Sequence, residues 1–300
     1  MINMNRGYLY ALVSSLLLSS SVVINKYLLG FVNSRMLSFM FFASVFVGSS
    51  VFLLYRKTGF LANIRSHWKD GIIVGGFNAL AATLFFFSLS LLDASTTSFL
   101  VRFSTIFIIL IGVFFLKERL TLYDYLGMAL AVTGALLISY SNGGYTKLGL
   151  VVALTAAFAI ALHQITAKMF VRKISPLALV NLRTFFSSLF ILLLVFATSS
   201  FQPIDLKLIP LIFVTGAVIA MSGFFFFYKS LELIEVSKAA IIRTADPFII
   251  LIYGLVIFRT IPGVHEVTGG SLIFLGVAVI ILKRRIGRIV AAFRPLSWFE

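Results

Sequence analysis

Long apolar blocks separated by short polar stretches dominate the chain, and their length predicts membrane-spanning helices. A helix that crosses the hydrocarbon core of a bilayer needs about 20 predominantly apolar residues. The pattern predicts an all-α integral membrane protein with ten transmembrane helices. The predicted helices cover residues 7–29, 34–55, 71–92, 94–116, 122–140, 148–170, 176–198, 208–231, 236–258 and 264–282.

The composition agrees with this pattern and excludes most soluble functions. Hydrophobic residues make up 60% of the chain and charged residues 12%, whereas soluble domains are about 45–50% apolar and about 25% charged. Because the chain has no cysteine, it has no disulfide and no thiolate metal site. No catalytic set, metal-ligand cluster or phosphate-binding glycine loop is found, so we predict neither an enzyme nor a cofactor nor ATP-driven transport.

Basic residues are distributed unevenly between the two ends of the predicted helices. If the N-terminus lies inside, sixteen Lys and Arg residues lie at inner ends and five at outer ends. The positive-inside rule then predicts a multi-pass protein with both termini cytoplasmic. The absence of cysteine, of an apparent signal peptide and of large loops favours the cytoplasmic (inner) membrane, with an organelle membrane as the alternative. We assign the net charge of +15 to topology and to contact of a basic tail, residues 285–300, with anionic lipid, rather than to nucleic acid.

The two halves of the chain repeat each other with an offset of 142 residues. Glycine and charged matches support this repeat, because apolar matches arise by chance in such a chain. The matches include Gly7 with Gly149, Lys26 with Lys168, Gly134 with Gly276 and, at an offset of 141, Arg102 with Arg243. Each half, residues 1–142 and 143–284, has five predicted helices, so the second would enter the membrane inverted. Inverted repeats are typical of secondary transporters, with a substrate site between the halves near the midplane.

Each half also resembles a known family unit. In the first half, an aromatic-rich helix contains Phe85 to Phe87, a later helix ends in Leu116-Lys117-Glu118-Arg119, and the next carries Gly127 and Gly134. The second half repeats the aromatic run at Phe225 to Tyr228. These features resemble the EamA unit of the drug/metabolite transporter superfamily. The resemblance implies two inverted five-helix units with alternating access to a central cavity. It also implies transport of amino acids, other metabolites, nucleotide-sugars, phosphorylated sugars or drugs.

Three charged residues within the predicted spans are candidates for the transport pathway, because charge at membrane depth is costly and often functional. Arg102 and Arg243 are repeat-related and are predicted to straddle the midplane, where two guanidinium groups would clamp a carboxylate or phosphate. Asp246 follows Arg243 by three residues on the same helix face, so it either neutralises that arginine or carries a coupling proton. Arg102 could equally be satisfied by backbone carbonyls.

A second polar group is predicted on the sixth and seventh spans. His163 and Gln164 lie on one span and Arg183 lies with Asn181 on the next, and the first three are substrate-binding candidates. His163 could carry a coupling proton or lie buried as a neutral imidazole bonded to a carbonyl.

Four further candidates are placed less directly by the sequence. Asn78 has no charged neighbour, and Tyr228 ends an aromatic run; both are candidates for substrate binding. Lys26 and Lys168 lie near the ends of the first and sixth spans, where a coupling or gating role competes with lysines that extend to the membrane surface.

These observations predict a secondary active transporter that moves a small anionic or zwitterionic metabolite, such as an amino acid, by alternating access. Export coupled to protons is what the family resemblance favours. The expected partners are a small-molecule substrate and the lipid bilayer; a homodimer is left open. Two alternatives remain: a flippase for a lipid-linked substrate, and a membrane protein that acts as a sensor or assembly partner without transport.

Overall fold

A computed structural model describes residues 2–56, 60–92, 94–116, 121–140 and 147–258, with isolated positions between 264 and 279. These parts of the chain are helical, as the apolar blocks predict. The helices are α1 Ile2–Leu28, α2 Ser34–Tyr55, α3 Phe60–Leu91, α4 Ala94–Leu100, α5 Phe103–Leu116, α6 Leu122–Tyr140, α7 Lys147–Phe170, α8 Pro176–Ala197, α9 Leu206–Leu233, α10 Val236–Ile242 and α11 Asp246–Phe258.

Seven helices of the described residues are long and apolar enough to cross a membrane. The predicted count of ten is therefore not confirmed. The lengths and the apolar composition of these helices still agree with a helical membrane protein. The span predicted at 264–282 lies mostly outside the described residues, as does the basic tail 285–300. The seven candidates are Met4–Leu28, Ser34–Tyr55, Arg65–Leu91, Lys147–Phe170, Pro176–Ala197, Leu206–Leu233 and Val236–Val256.

Two predicted spans are broken by tight turns, which corrects the sequence interpretation. The span at 94–116 is interrupted at Val101 and Arg102, where the chain turns tightly between α4 and α5. The span at 236–258 contains a 3₁₀ turn, Arg243–Ala245, between α10 and α11. Both interruptions use backbone bonds to the third residue back, for example from Thr105 N–H to the Arg102 carbonyl at 2.8 Å. Tightened turns of this kind re-aim the side chains that follow.

Two further boundaries differ from the predicted ones. The stretch 56–70, predicted as a loop, is partly helical because α3 already begins at Phe60 and bends at His67. Inside α9, Val214–Ala220 forms a π-helical segment that packs on α2. Gly48 of α2 permits this approach, since a Cβ there would lie 2.4 Å from the carbonyl oxygen of Ala217.

Helices of the first half pack mainly against helices of the second. α1 packs along α9 and α11, α2 along α8, and α3 along both α7 and α8. The buried side chains between them combine aromatic and aliphatic residues with many serines, which allow helices to approach closely. The central space therefore lies between the two halves.

The repeat predicted from the sequence is visible in two equivalent contacts. The ammonium of Lys26 donates to the carbonyls of Leu89 and Leu92, at 2.9 and 2.8 Å. The ammonium of Lys168 donates in the same way to the carbonyls of Leu231 and Ile234. Each acceptor is 142 positions from its counterpart, so the offset found in the sequence also relates contacts in three dimensions.

Candidate functional site

A cavity of about 140 Å³ lies between the two halves and is walled by helices from both. Seven of the residues predicted to form the site line it, although they come from four separate helices and the two helix interruptions. These residues are Asn78, Arg102, His163, Gln164, Arg183, Arg243 and Asp246. The cavity is the natural candidate for a binding site, because the predicted polar groups converge on it.

One side of the cavity is formed by two arginines that share a carboxylate. Oδ2 of Asp246 lies 3.3 Å from Nη1 of Arg102 and 3.1 Å from Nη2 of Arg243. Its other oxygen, Oδ1, accepts a hydrogen bond of 2.5 Å from the hydroxyl of Ser15 on α1. The carboxylate thereby connects α1 with the two helix interruptions, and we call Arg102, Arg243 and Asp246 the arginine–aspartate bridge.

The structure contains the two contacts that were considered as alternatives to an anion clamp at Arg102 and Arg243. Arg243 is paired with Asp246, as the spacing on one helix face predicted. Arg102 is also bonded to backbone carbonyls, that of Arg243 at 3.0 Å and that of Ser98 at 3.3 Å. The interruption at Arg243–Ala245 thus places one of its carbonyls within reach of the other arginine.

The other charged group of the cavity is Arg183 on α8, whose side chain is completely buried. Its Nη1 donates to Oδ1 of Asn78 at 3.2 Å and lies 3.4 Å from Nε2 of His163. Its Nε and Nη2 have no hydrogen-bond partner within the part of the chain that the structure describes. Because a buried charge without a carboxylate is costly, the chain retains Arg183 at the expense of stability.

Aromatic rings surround the guanidinium of Arg183. Its central carbon lies 3.9 Å from the ring centre of Phe224, 5.5 Å from that of Tyr228 and 5.8 Å from that of Phe42. A cation over an aromatic face is attracted by the electron-rich ring, more strongly where water is excluded. These rings compensate part of the cost of burial and hold the guanidinium in position.

Tyr228 lies behind the cavity wall rather than on it. The side chain is fully buried, and its hydroxyl lies 3.2 Å from Nε2 of His163. The same nitrogen faces Nη1 of Arg183, which can only donate. Nε2 is therefore placed as an acceptor, which is the arrangement of a neutral imidazole rather than a protonated one.

The cavity has an excess of positive charge. Three arginines line it, and Asp246 is the one carboxylate among the described lining residues. With all four groups ionised their sum is +2. In a site walled by apolar groups such a charge concentrates the local field and attracts anions.

Two expectations about neighbouring polar residues are corrected by the helix packing. Asn78, which has no charged neighbour in the sequence, contacts Arg183 and donates from its amide to Ser187 at 2.8 Å. Asn181 does not join the polar group of Arg183; its amide bonds the hydroxyls of Ser49 and Ser50 on α2. Asn181 and Arg183 are two residues apart, which is about 200° around the axis of α8, so their side chains lie on different faces of that helix.

Lys26 and Lys168 lie outside the cavity lining, at the carbonyl ends of the two equivalent turns. Their positions allow an anchoring role for each turn, and a gating role stays a prediction. Among the described residues there is no group of three or more His, Cys, Asp or Glu that could hold a metal ion.

Ser15, which contacts the arginine–aspartate bridge from outside the cavity lining, and some lining residues were not identified as site residues from the sequence. Ser15 was interpreted only as a small residue for close helix packing, whereas it donates to Asp246. Asn25 and Phe42 do line the cavity, and the buried Oδ1 of Asn25 has no hydrogen-bond partner among the described residues. Ser15 could have been proposed as a site residue because it is a polar residue within an apolar helix and could face a predicted charge inside the membrane.

The arrangement defines a multi-pass helical membrane protein with a charged central cavity between two repeats, and comparison with known proteins places it in a family. Residues 5–140 and 147–282 each match the EamA-like transporter family, and the chain belongs to that family. This confirms the resemblance noted in both halves of the sequence. Family membership implies a lipid bilayer and a small-molecule substrate, and it points to a transporter rather than an enzyme.

Two individual proteins are similar to the chain over most of its length. One, from Archaeoglobus fulgidus, is named an uncharacterized transporter and is 25% identical over 227 residues, covering 73% of this chain and 81% of that protein. A solved crystal structure has a TM-score of 0.76 at 17% identity and covers 97% of this chain and 99% of the other. The second likeness shows the fold alone.

Proposed function

We propose that this protein is a secondary active transporter for a small anionic or zwitterionic organic solute, an amino acid being one candidate. The observation that carries the proposal is the positive cavity between the halves, with three arginines and one carboxylate among its described lining residues. Membership of a transporter family supports it independently. A cavity of this kind favours anions over cations, because a cation would meet an unfavourable potential throughout.

The proposed mechanism is alternating access in the cytoplasmic membrane, with both termini inside. Interrupted helices at Arg102 and Arg243 and the contact surface between the halves support it, since transporters bind solutes where discontinuous helices of two repeats meet. The direction we favour is export. Protons are the proposed coupling ion, and Asp246 is the candidate carrier because it is the one carboxylate among the described residues of the cavity lining.

The alternative proposals predict different results. A flippase for a lipid-linked substrate would need a route from the cavity to the lipid phase, and its activity would be seen with fluorescent lipids rather than with soluble solutes. A sensor or assembly protein would show no flux at all. The positive charge of the cavity favours a soluble anion over both.

The test is counterflow in proteoliposomes made with the purified full-length protein. Vesicles loaded with an unlabelled solute are diluted into a trace of the same labelled solute, with amino acids, organic acids, sugar phosphates and organic cations compared. Transient accumulation requires a binding site that reorients, which a channel does not have. We expect accumulation with at least one anionic or zwitterionic solute and none with cations.

Two controls make the result decisive. Protein-free vesicles give the leak, and Lys229→Gln removes a charge from a partly exposed pair with Glu232 that lies outside the cavity lining, so it should transport like the wild type. Accumulation of cations alone would contradict the proposal. Measuring the flux with a pH gradient of either sign tests the coupling. Proton-driven export requires that the solute leaves the vesicles faster when the outside is acidic.

A further inference from the structure

The three arginines of the cavity differ in how much of each guanidinium is already bonded. Arg102 donates from Nε to a carbonyl and from Nη1 to a second carbonyl and to Asp246. Arg243 has an unpartnered Nε, but its Nη2 is bonded to Asp246. Arg183 alone among these three has two neighbouring nitrogens, Nε and Nη2, both without a partner.

These two nitrogens of Arg183 form one edge of the guanidinium. Nε–H and one N–H of Nη2 point in the same direction, and this fork is the geometry that binds two oxygens of one anion at once. The bonded nitrogen, Nη1, faces away toward Asn78 and His163. The protein thus fixes one end of the guanidinium and leaves the two-donor edge unused.

We propose that this free edge of Arg183 is the docking point for a carboxylate group of the transported solute. In this assignment the arginine–aspartate bridge holds α1 and the two helix interruptions together and does not clamp the anion. The inference rests on the proposed transport function and names the chemical group and the residue that recognise each other.

The surroundings favour a carboxylate over a phosphate. The guanidinium lies over the ring of Phe224 and near that of Phe42, and we call these surroundings the aromatic slot. A carboxylate is planar and extends the plane of the guanidinium when both oxygens are bonded. A phosphate is tetrahedral, and its remaining oxygens would project toward the aromatic rings without hydrogen-bond donors.

The described conformation holds the docking edge closed. Nε and Nη2 are both shielded from water, although Arg183 contributes to the cavity wall. A solute must therefore displace neighbouring side chains, and among the three aromatic neighbours the ring centre of Phe224 lies nearest to the guanidinium. Carboxylate binding is expected to accompany a rearrangement of this wall rather than to fill an open pocket.

The experiment measures the melting temperature of the purified full-length protein with matched compounds. Benzoate and L-phenylalanine carry a carboxylate, benzamide and L-phenylalaninamide lack it, and phenylphosphonate replaces it with a tetrahedral anion. A ligand that binds the folded state raises the melting temperature. We expect a shift with at least one carboxylate, none with its amide, and a smaller one with phenylphosphonate.

The variant that tests the residue is Arg183→Lys, which keeps the charge but removes the fork. It should require at least a tenfold higher carboxylate concentration for the same shift, whereas Lys229→Gln should respond like the wild type. Arg183→Met, which fills the aromatic slot without a charge, should lose the response and gives a second folded background if the lysine variant is unstable.

Each other outcome overturns the assignment in a recognisable way. An unchanged carboxylate response in Arg183→Lys and Arg183→Met places the anion elsewhere, and counterflow of that solute would leave the transport proposal standing. A larger shift with phenylphosphonate rejects the carboxylate. The absence of any shift in the wild type rejects the assignment, and if counterflow is also absent for every solute tested, the transport proposal fails with it.

Discussion

Asp246 is the residue on which the arginine–aspartate bridge depends, and its side chain is almost completely buried. Asp246→Asn would leave Arg102 and Arg243 facing each other without a shared countercharge. Breaking a buried ion pair by removing one partner costs about 3–5 kcal/mol of stability. We expect a clear fall in melting temperature of the purified protein, measured without ligand.

The matched control for this prediction is Glu232→Gln. It removes one carboxylate from the partly exposed pair with Lys229, at 3.1 Å. Exposed pairs contribute only about 0–1 kcal/mol, so this variant should melt close to the wild type. Equal melting temperatures for the two variants would show that the bridge does not hold the helices together.

The sequence predicted the charged residues of the site better than the contacts that these residues make. Arg243 and Asp246 share a helix face at a spacing of three, and Arg102 follows from the repeat, so all three were identified. Ser15 and the contact of Asn78 with Arg183 were missed. Both depend on the rotation of one helix against another, which a single sequence does not specify.

Among the elements, the helix interruptions show why apolar length alone is an incomplete guide. The blocks at 94–116 and 236–258 have the composition of continuous spans, but each is broken near an arginine at a repeat-related position. Arg102 donates a hydrogen bond to a backbone carbonyl, and such a bond stabilises a local break in a helix. The hydropathy of the block does not indicate where this break occurs. A charge inside an apolar block was the available signal.

The close approach of α2 and α9 gives a prediction about an element contact. In Gly48→Ala the new Cβ would lie 2.4 Å from the carbonyl oxygen and 2.7 Å from the Cα of Ala217. These are backbone atoms, so the helices must separate, at a cost of about 1–3 kcal/mol for overpacking. We expect a lower melting temperature.

A second glycine in a helix provides the comparison. In Gly76→Ala the Cβ would meet only the ring of Phe190, at an ordinary contact distance of 3.7 Å. Alanine is also the better helix former by about 0.5–1 kcal/mol. This variant should melt at or above the wild-type temperature, and a fall as large as that of Gly48→Ala would contradict the packing account.

For the whole molecule, the sequence predicted two repeats, and one pair of contacts lies at equivalent positions of the two. Lys26 and Lys168 bind carbonyls 142 positions apart, and both halves match the same family. The predicted number of ten spans is not confirmed, because only part of the last predicted block is described and two other blocks are broken by turns. The opposite orientation of the halves in the membrane remains a prediction from the odd number of helices and the basic residues.

Inversion can be tested with cysteine labelling, because the chain contains no cysteine. Phe31 lies in the exposed turn after α1, and Lys173, at the equivalent position 142 residues later, lies in the exposed turn after α7. Inverted repeats place these two turns on opposite sides of the membrane. In intact cells a membrane-impermeant maleimide should label Phe31→Cys, whereas Lys173→Cys should react only after the membrane is opened. Labelling of both from outside would mean that the halves run parallel, and the proposed exchange of access between them would lose its structural basis.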